Sequence, residues 1–200
     1  MEPDVPLRVA IVGGGSFGSV MARVIASAVA ASPERFEPAV AWWVRREEQA
    51  AEICNQRTNV AYLGPDCALP DNLHATTDLE QATRGTDVLV LGVPHQFLDG
   101  LYPQLRGALR AGAQILSLCK GLHLEGHDIV PLTTRITAQT GYAASILAGP
   151  NLYTEMARDA YAEATIGYAA GNRAGALVLQ QLCTTPHFGV EVVEDLVGVD

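Results

Sequence analysis

Four residue classes are scarce in this 200-residue chain: cysteine, aromatics, cations and long apolar runs. The 4 cysteines, Cys54, Cys67, Cys119 and Cys183, lie far apart with no C-x-x-C pair. That spacing excludes a zinc ribbon and favours reduced thiols in a cytosol-like, cytoplasmic setting over a disulfide framework. Lys and Arg number 13 against 22 Asp and Glu, a net charge of −9 with no basic block. Such a chain is not built to bind nucleic acid or an anionic membrane surface, so an anionic ligand must be held locally by backbone amides and a few cations. No apolar run approaches membrane-spanning length, and residues 1–6 are too short and acidic for a signal peptide. His123 and His127 lie four apart, but the glycine and acids around them read as loop, and no metal site is expected. What is plentiful is apolar residue, 48% of the chain, enough for the sizeable core of one domain.

The rest of the chain is organised around residues 7–18. An apolar, β-branched run ends in Gly13-Gly14-Gly15-Ser16-Phe17-Gly18, and a helical pattern begins at once. Gly13, Gly15 and Gly18 fit G-x-G-x-x-G in the strand–turn–helix order that a dinucleotide fingerprint requires. Gly13 allows the tight turn. Gly15 has no Cβ, so a pyrophosphate can approach the backbone. Gly18 lets the helix lie close on the strand. The helix-start amides and dipole then hold the phosphates. The bland alternative is a plain tight turn.

Apolar positions from Val20 to Val29 recur at helical spacing, and Pro33 closes that helix. A second strand is expected over 39–44 after Pro38, then a helix to Asn55 with Glu47 and Glu48 in its first turn. NAD-specific domains place Asp or Glu at the end of that strand to bind the ribose hydroxyls. Here stand Arg45 and Arg46. A guanidinium cannot accept those bonds but can pair with a 2′-phosphate; alternatively both arginines are solvated or stack on adenine. The coenzyme is therefore NAD or NADP. Residues 58–72 read as a long loop, 73–76 as a strand, and Asp78 as the N-cap of a brief helix ending near Gly85. Residues 87–93 form a buried parallel strand ending in Pro94-His95-Gln96-Phe97 at the crevice, where His95 is either catalytic or structural. Residues 98–110 are helical in character, broken early by Gly100 and Pro103. A strand over 113–118 leads to Lys120, which either meets a substrate phosphate or carbonyl or is a surface lysine. A helix over 129–139 takes Pro131 in its first turn. A strand over 145–148 opens a second strand–turn–helix at Gly149-Pro150-Asn151-Leu152-Tyr153. Strands over 161–168 and 187–193 flank a helix over 173–182 and can pair as an antiparallel edge. The fold class is α/β, a doubly wound, mostly parallel Rossmann sheet.

Several motifs coincide. Beside the glycine turn stand Asn59-Val60-Ala61-Tyr62-Leu63 with Leu69-Pro70, and Val93-Pro94-His95-Gln96-Phe97. Ser117-Leu118-Cys119-Lys120-Gly121, Gly149-Pro150-Asn151 and Ala164-Thr165-Ile166-Gly167 follow in order. Together they resemble the NAD(P)-dependent glycerol-3-phosphate dehydrogenases over nearly the whole chain. The resemblance implies an oxidoreductase exchanging a hydride between nicotinamide and dihydroxyacetone phosphate to give sn-glycerol 3-phosphate. It implies that residues 13–18 hold the pyrophosphate, that Arg45, Pro94, Phe97 and Tyr153 meet the coenzyme, and that Lys120 contacts substrate. Phe17 stands where many eukaryotic relatives have Trp, and Tyr153 where a smaller residue is usual. Arg45 and Gly149-Pro150 look more like bacterial members, where NADP use is common.

Family members continue into a helical domain carrying a second lysine and an Arg-Asn clamp for the substrate phosphate, and the full-length enzymes are homodimers. The segment from Glu194 to Asp200 resembles the lead-in to that lysine, which the resemblance therefore puts beyond Asp200. Residues 1–200 are expected to be the dinucleotide-binding domain alone, binding coenzyme but turning over poorly or not at all. Two other readings stay open: a non-catalytic dinucleotide-binding module, which needs neither Lys120 nor the 59–70 loop, and a related dehydrogenase acting on another hydroxy substrate.

Overall fold

The structure, a computed structural model, describes residues 5–119, 121–125 and 128–199. Lys120, His127 and Asp200, all singled out above, lie outside the described residues, as do residues 1–4 and 126. The expected lysine contact with substrate is therefore not placed by the fold, whereas residues 194–199 of the lead-in that ends at Asp200 are described. The chain begins with β1 (Leu7–Val12), α1 (Ser16–Ala31), β2 (Phe36–Trp43), α2 (Glu47–Gln56) and a short α3 (Val60–Leu63). It continues through β3 (Leu73–Thr76), α4 (Leu79–Thr83), β4 (Val88–Leu91), a 3₁₀ turn at His95–Phe97, α5 (Leu98–Leu105) and β5 (Gln114–Ser117). A hairpin of β6 (Leu122–Glu125) and β7 (Asp128–Pro131) precedes α6 (Leu132–Thr140) and β8 (Ala143–Ala148). Then come α7 (Tyr153–Met156), β9 (Ala162–Gly167), α8 (Arg173–Cys183) and β10 (Phe188–Val193).

One sheet runs in the order β10-β9-β8-β5-β4-β1-β2-β3. From β3 to β8 every pairing is parallel, the doubly wound arrangement expected. The antiparallel edge is the β8–β9 junction, with Ile146 opposite Gly167. The two C-terminal strands themselves pair in parallel. Both faces are covered, so residues 9–12 of β1 and 88–91 of β4 are apolar at every position. Val9, Ile11, Val88 and Val90 pack with α1, α2 and α8 on one face. Ala10, Val12, Leu89 and Leu91 pack with α5 and α6 on the other. The period-2 alternation of strand side chains sorts one sequence run into two cores. None of the four cysteines is in a disulfide, and complete burial pushes the Cys183 thiol up to about 12.

Several boundaries differ from the sequence expectation. β2 starts at Phe36 rather than Ala39, running through Pro38, which sits where the β1–β2 register shifts between Leu7↔Phe36 and Val9↔Val40. A bulge is where a strand tolerates a residue without an amide. α5 runs through Gly100 and Pro103 and stops at Leu105. His123, expected in a loop, lies in the β6–β7 hairpin. Residues 129–131 belong to that hairpin, so α6 starts at Leu132 with Pro131 as its N-cap at φ −56°. Proline there ends a strand where its missing amide is not needed and presets the turn. The expected loop over 58–72 contains α3. The Asp78 cap is formed, its carboxylate accepting from the Gln81 amide at 3.0 Å.

One ion pair ties α1 to the α7–β9 turn. Arg23 holds Asp159 with both nitrogens, at 2.8 and 2.9 Å. Asp159 sits in the left-handed region at φ 58°, and the Arg23 hydrogen bond holds its carboxyl below the ordinary carboxylate range. Folding thus favours the ionised form. The stabilisation is complete above the unfolded pKa and is lost as pH falls through the lowered folded value. Because the Asp159 side chain is 51% exposed, Asp159→Asn should cost about 1 kcal/mol or less at neutral pH. Asparagine also adopts this backbone conformation, so the change isolates the charge. In urea titrations the gap to wild type should close below about pH 4; a gap unchanged into acid would show that the carboxylate's charge plays no part.

Candidate functional site

The turn between β1 and α1 is built by backbones that touch. At Gly13, φ is +118°, and a Cβ would come within 2.6 Å of the Gly92 carbonyl carbon. A Cβ on Gly18 would lie 2.7 Å from the Gly13 oxygen, and one on Gly92 would lie 3.2 Å from the Gly18 Cα. Three glycines from two connections therefore pack with nothing between them, which is what glycine permits. Gly15 is different. Its φ is −77°, open to any residue, and a Cβ there meets nothing within 4 Å.

The carbonyls of this turn are all occupied. The Trp42 indole donates to Gly13 O at 2.9 Å, the Gln49 amide to Gly14 O at 2.7 Å, and the Ser19 amide to Gly15 O at 2.8 Å. The first-turn amides of α1 have no such partners, because no side chain caps the helix and the geometry of a helix start supplies no acceptor. Its first turn also lacks an acid, so the positive end of the dipole is not neutralised. Gln49 extends to Asn59 Oδ1 at 3.3 Å, and Asn59 Nδ2 donates to Ser19 Oγ at 2.7 Å. Asn59 and Ser19 are wholly buried. This chain of amides fastens α2, the 59–70 loop and α1 around the turn.

Gly15 opens on a groove of about 290 Å³ between residues 15–18 of α1, residues 92–95 after β4 and residues 118–119 after β5. It lies at the carboxyl ends of β1 and β4, where the strand order reverses, the position at which doubly wound sheets bind ligands. An open Gly15, uncapped amides and the absence of an acid suit a diphosphate.

Of the residues singled out from sequence, Gly15, Ser16, Phe17, Gly18, Pro94 and His95 line this groove, with Gly13 and Gly14 behind its wall. Arg45 and Arg46 follow β2, both exposed. Phe97 is 50% exposed at the end of the 3₁₀ turn, and Tyr153 is 37% exposed. Tyr153 lines a different cleft of about 610 Å³, with Arg23, Tyr62 and Arg158. At the second strand–turn–helix, a Cβ on Gly149 would come within 2.7 Å of the Glu163 carbonyl oxygen. The Asn151 side-chain nitrogen there is buried with no partner among the described residues. Sequence reasoning missed Gly92, Trp42, Gln49 and Cys119. Gly92 had a signal, a glycine at the end of an apolar strand, which marks close backbone approach. Cys119 lines the groove and its thiol donates to Val93 O at 2.7 Å.

A family model described as the N-terminus of NAD-dependent glycerol-3-phosphate dehydrogenase matches residues 8–174. The chain is 38% identical over 208 aligned positions to glycerol-3-phosphate dehydrogenase [NAD(+)] 1 of Yarrowia lipolytica, covering 97% of this chain and 51% of that one. It is 34% identical to the enzyme of that name from Saccharomyces cerevisiae, covering 98% and 53%. The solved structure of glycerol-3-phosphate dehydrogenase from Saccharomyces cerevisiae superposes with a TM-score of 0.89 at 33% identity, covering 96% of this chain and 58% of that one. The chain spans about half the length of the curated relatives it matches.

The two kinds of glycine separate in unfolding experiments. Gly18→Ala, which presses a methyl on the Gly13 carbonyl, should cost about 1–3 kcal/mol, whereas Gly15→Ala should leave stability within about 0.5 kcal/mol. Gln49→Leu strips the partner from Gly14 O and should cost about 1–3 kcal/mol. Urea midpoints at constant slope check all three; equal costs at Gly15 and Gly18 would refute the assignment.

Proposed function

The chain belongs to the NAD-dependent glycerol-3-phosphate dehydrogenase family, and from that premise we propose that it is the coenzyme-binding half of such an enzyme. One observation carries the reading: a helix start with open Gly15, tied-back carbonyls and no acid, facing a groove at the switch point of the sheet. The amides of residues 16–18 hold the negative charge of the diphosphate, and Gly13 and Gly14 set the turn that aims them. Pro94 forms the far wall of the groove and limits water there. Arg45, Phe97 and Tyr153 meet the outer parts of the coenzyme. When bound, the reduced coenzyme would supply the hydride, and the carbonyl carbon of dihydroxyacetone phosphate would be its acceptor, the alcohol being sn-glycerol 3-phosphate. Lys120 contacts the substrate, its ammonium stabilising charge on the reacting oxygen. A proton donor and a clamp for the substrate phosphate are left to the part of the longer relatives that this chain does not span. Residues 1–200 thus form one coenzyme domain. The whole enzyme works in the cytoplasm as a homodimer; no helix among the described residues is long and apolar enough to cross a membrane.

The test uses the chain's two tryptophans, Trp42 and Trp43, which flank the turn. NADH should quench their fluorescence saturably. Gly15→Val, whose Cβ enters space with nothing within 4 Å, should weaken NADH binding by about tenfold or more with an unchanged melting temperature. With dihydroxyacetone phosphate present, NADH oxidation by this chain alone should be slow or undetectable. Wild-type protein that fails to bind either NADH or NADPH would overturn the proposal.

A further inference from the structure

We propose that Trp42 and Gln49, neither of which lines the coenzyme groove, are positioning residues for the diphosphate. They hold the carbonyls of Gly13 and Gly14 back, so that the amides of Gly14 and Gly15 stay turned the other way, free for the phosphates. The inference deepens the groove reading proposed above and rests on it.

The link is the peptide plane. In a trans peptide the C=O and the following N–H point in opposite directions in one rigid unit, and no peptide among the described residues is cis. Gly13 O shares its peptide with the Gly14 amide, and the Trp42 indole donates to it at 2.9 Å. Gly14 O shares its peptide with the Gly15 amide, and the Gln49 side chain donates to it at 2.7 Å. Pinning each oxygen therefore aims the next amide. Neither the Gly14 nor the Gly15 amide has a hydrogen-bond partner among the described residues. Successive amides turned to one side make an anion-binding concavity.

The helix cannot set these two planes by itself. Its own ladder begins with the Ser19 amide on Gly15 O, one peptide too late. Glycines at 13 and 14 leave the backbone free to rotate, and a carbonyl swung toward the groove would repel a phosphate. Two side chains from other elements remove that freedom. Trp42 stands opposite Ile11 on β2 and is wholly buried.

Gln49 reaches over from α2 and is itself buried. Its second N–H goes to Asn59 Oδ1 at 3.3 Å, so exchanging its oxygen and nitrogen would set one acceptor against two others. Asn59 is fixed in turn by its bond to Ser19 Oγ, at 2.7 Å, on the helix whose start holds the diphosphate. The fit also explains the middle glycine. A Cβ on Gly14 would come within 2.6 Å of Gln49 Nε2 and 2.7 Å of Val44 Cγ1. Position 14 lacks a side chain because the Gln49 amide occupies its place.

Calorimetric titration tests this, at a temperature where the circular dichroism of every variant matches wild type. Trp42→Phe keeps a ring and removes the N–H, and Gln49→Leu removes the amide donor. Each should weaken NADH and ADP by about fivefold or more, the loss of aim at a charged group. Adenosine, which has no phosphate, should change by about twofold or less in saturation-transfer NMR. The ³¹P resonances of bound NADH should move in both variants. Gly14→Ala, whose methyl displaces the Gln49 amide, should lose as much NADH affinity as Gln49→Leu. Gln49 lies outside the sheet, so Gln49→Leu decides alone where Trp42→Phe fails to fold. NADH affinity unchanged in the folded variants would overturn the proposal. So would equal losses for adenosine, which would make these side chains supports of the domain and not of the diphosphate. Wild type that binds neither NADH nor ADP would instead bring down the groove reading on which this one stands.

Discussion

The contact on which this molecule depends is backbone against backbone, where Gly13, Gly18 and Gly92 meet without side chains. It fixes how near α1 lies to the ends of β1 and β4. That distance sets the direction in which the helix start points. A methyl group at any of the three positions would push α1 outward and move its amides off the groove. The three glycines also come from two separate parts of the chain. Gly92 lies beyond β4, far from the fingerprint, so the fingerprint is completed only by a strand that the sheet brings beside it.

Electrostatics then follows from geometry rather than from composition. The chain is acidic overall, yet the start of α1 has no acid in its first turn, whereas α2 carries Glu47 and Glu48 there. One helix neutralises its own dipole and the other leaves it exposed. The carbonyls that would repel an anion at the turn are engaged by Trp42, Gln49 and the Ser19 amide. Anion attraction is therefore created over a few residues, by removing acceptors as much as by adding cations. A long basic patch is unnecessary, and its absence from the sequence says nothing against a phosphate-bearing ligand.

What was legible in the sequence had a short-range cause. The strand-to-glycine transition at Val12, the Asp78 cap and the 73–76 strand each depend on neighbours within a few residues, and each stands where it was expected. Pro38 and Pro131 misled because their roles depend on partners elsewhere. Pro38 is accommodated by a register shift against β1, and Pro131 closes a hairpin whose other strand begins at Leu122. The same distinction applies to the site. Gly15 and Gly18 could be given different jobs from the motif alone. The jobs of Gln49 and Asn59 could not, because they consist of hydrogen bonds to Gly14 and Ser19, residues 35 and 40 positions away. Phe97 and Tyr153, drawn from resemblance, stand outside the lining of the groove, Phe97 half-exposed after it and Tyr153 in a separate cleft with Arg23 and Arg158.

The reversal at β8–β9 decides which strand-exit loops build the edge that carries the groove. Each parallel strand from β3 to β8 delivers its carboxyl end to the same edge of the sheet, and the loops after β1, β4 and β5 build the groove there. β9 runs the other way, and β10 follows it, so their carboxyl ends lie at the opposite edge and contribute no further loops. β8 is the last strand to open on the functional edge. Its exit carries Gly149, pressed against the Glu163 backbone, and Asn151, whose buried amide lacks a partner among the described residues. A sheet continued in parallel would have extended the crevice past this point. The antiparallel junction instead ends the series of strand-exit loops, and the cleft of about 840 Å³ past it is lined by residues 148–152 at the exit of β8 with 161–165 and 189–191 of the reversed strands.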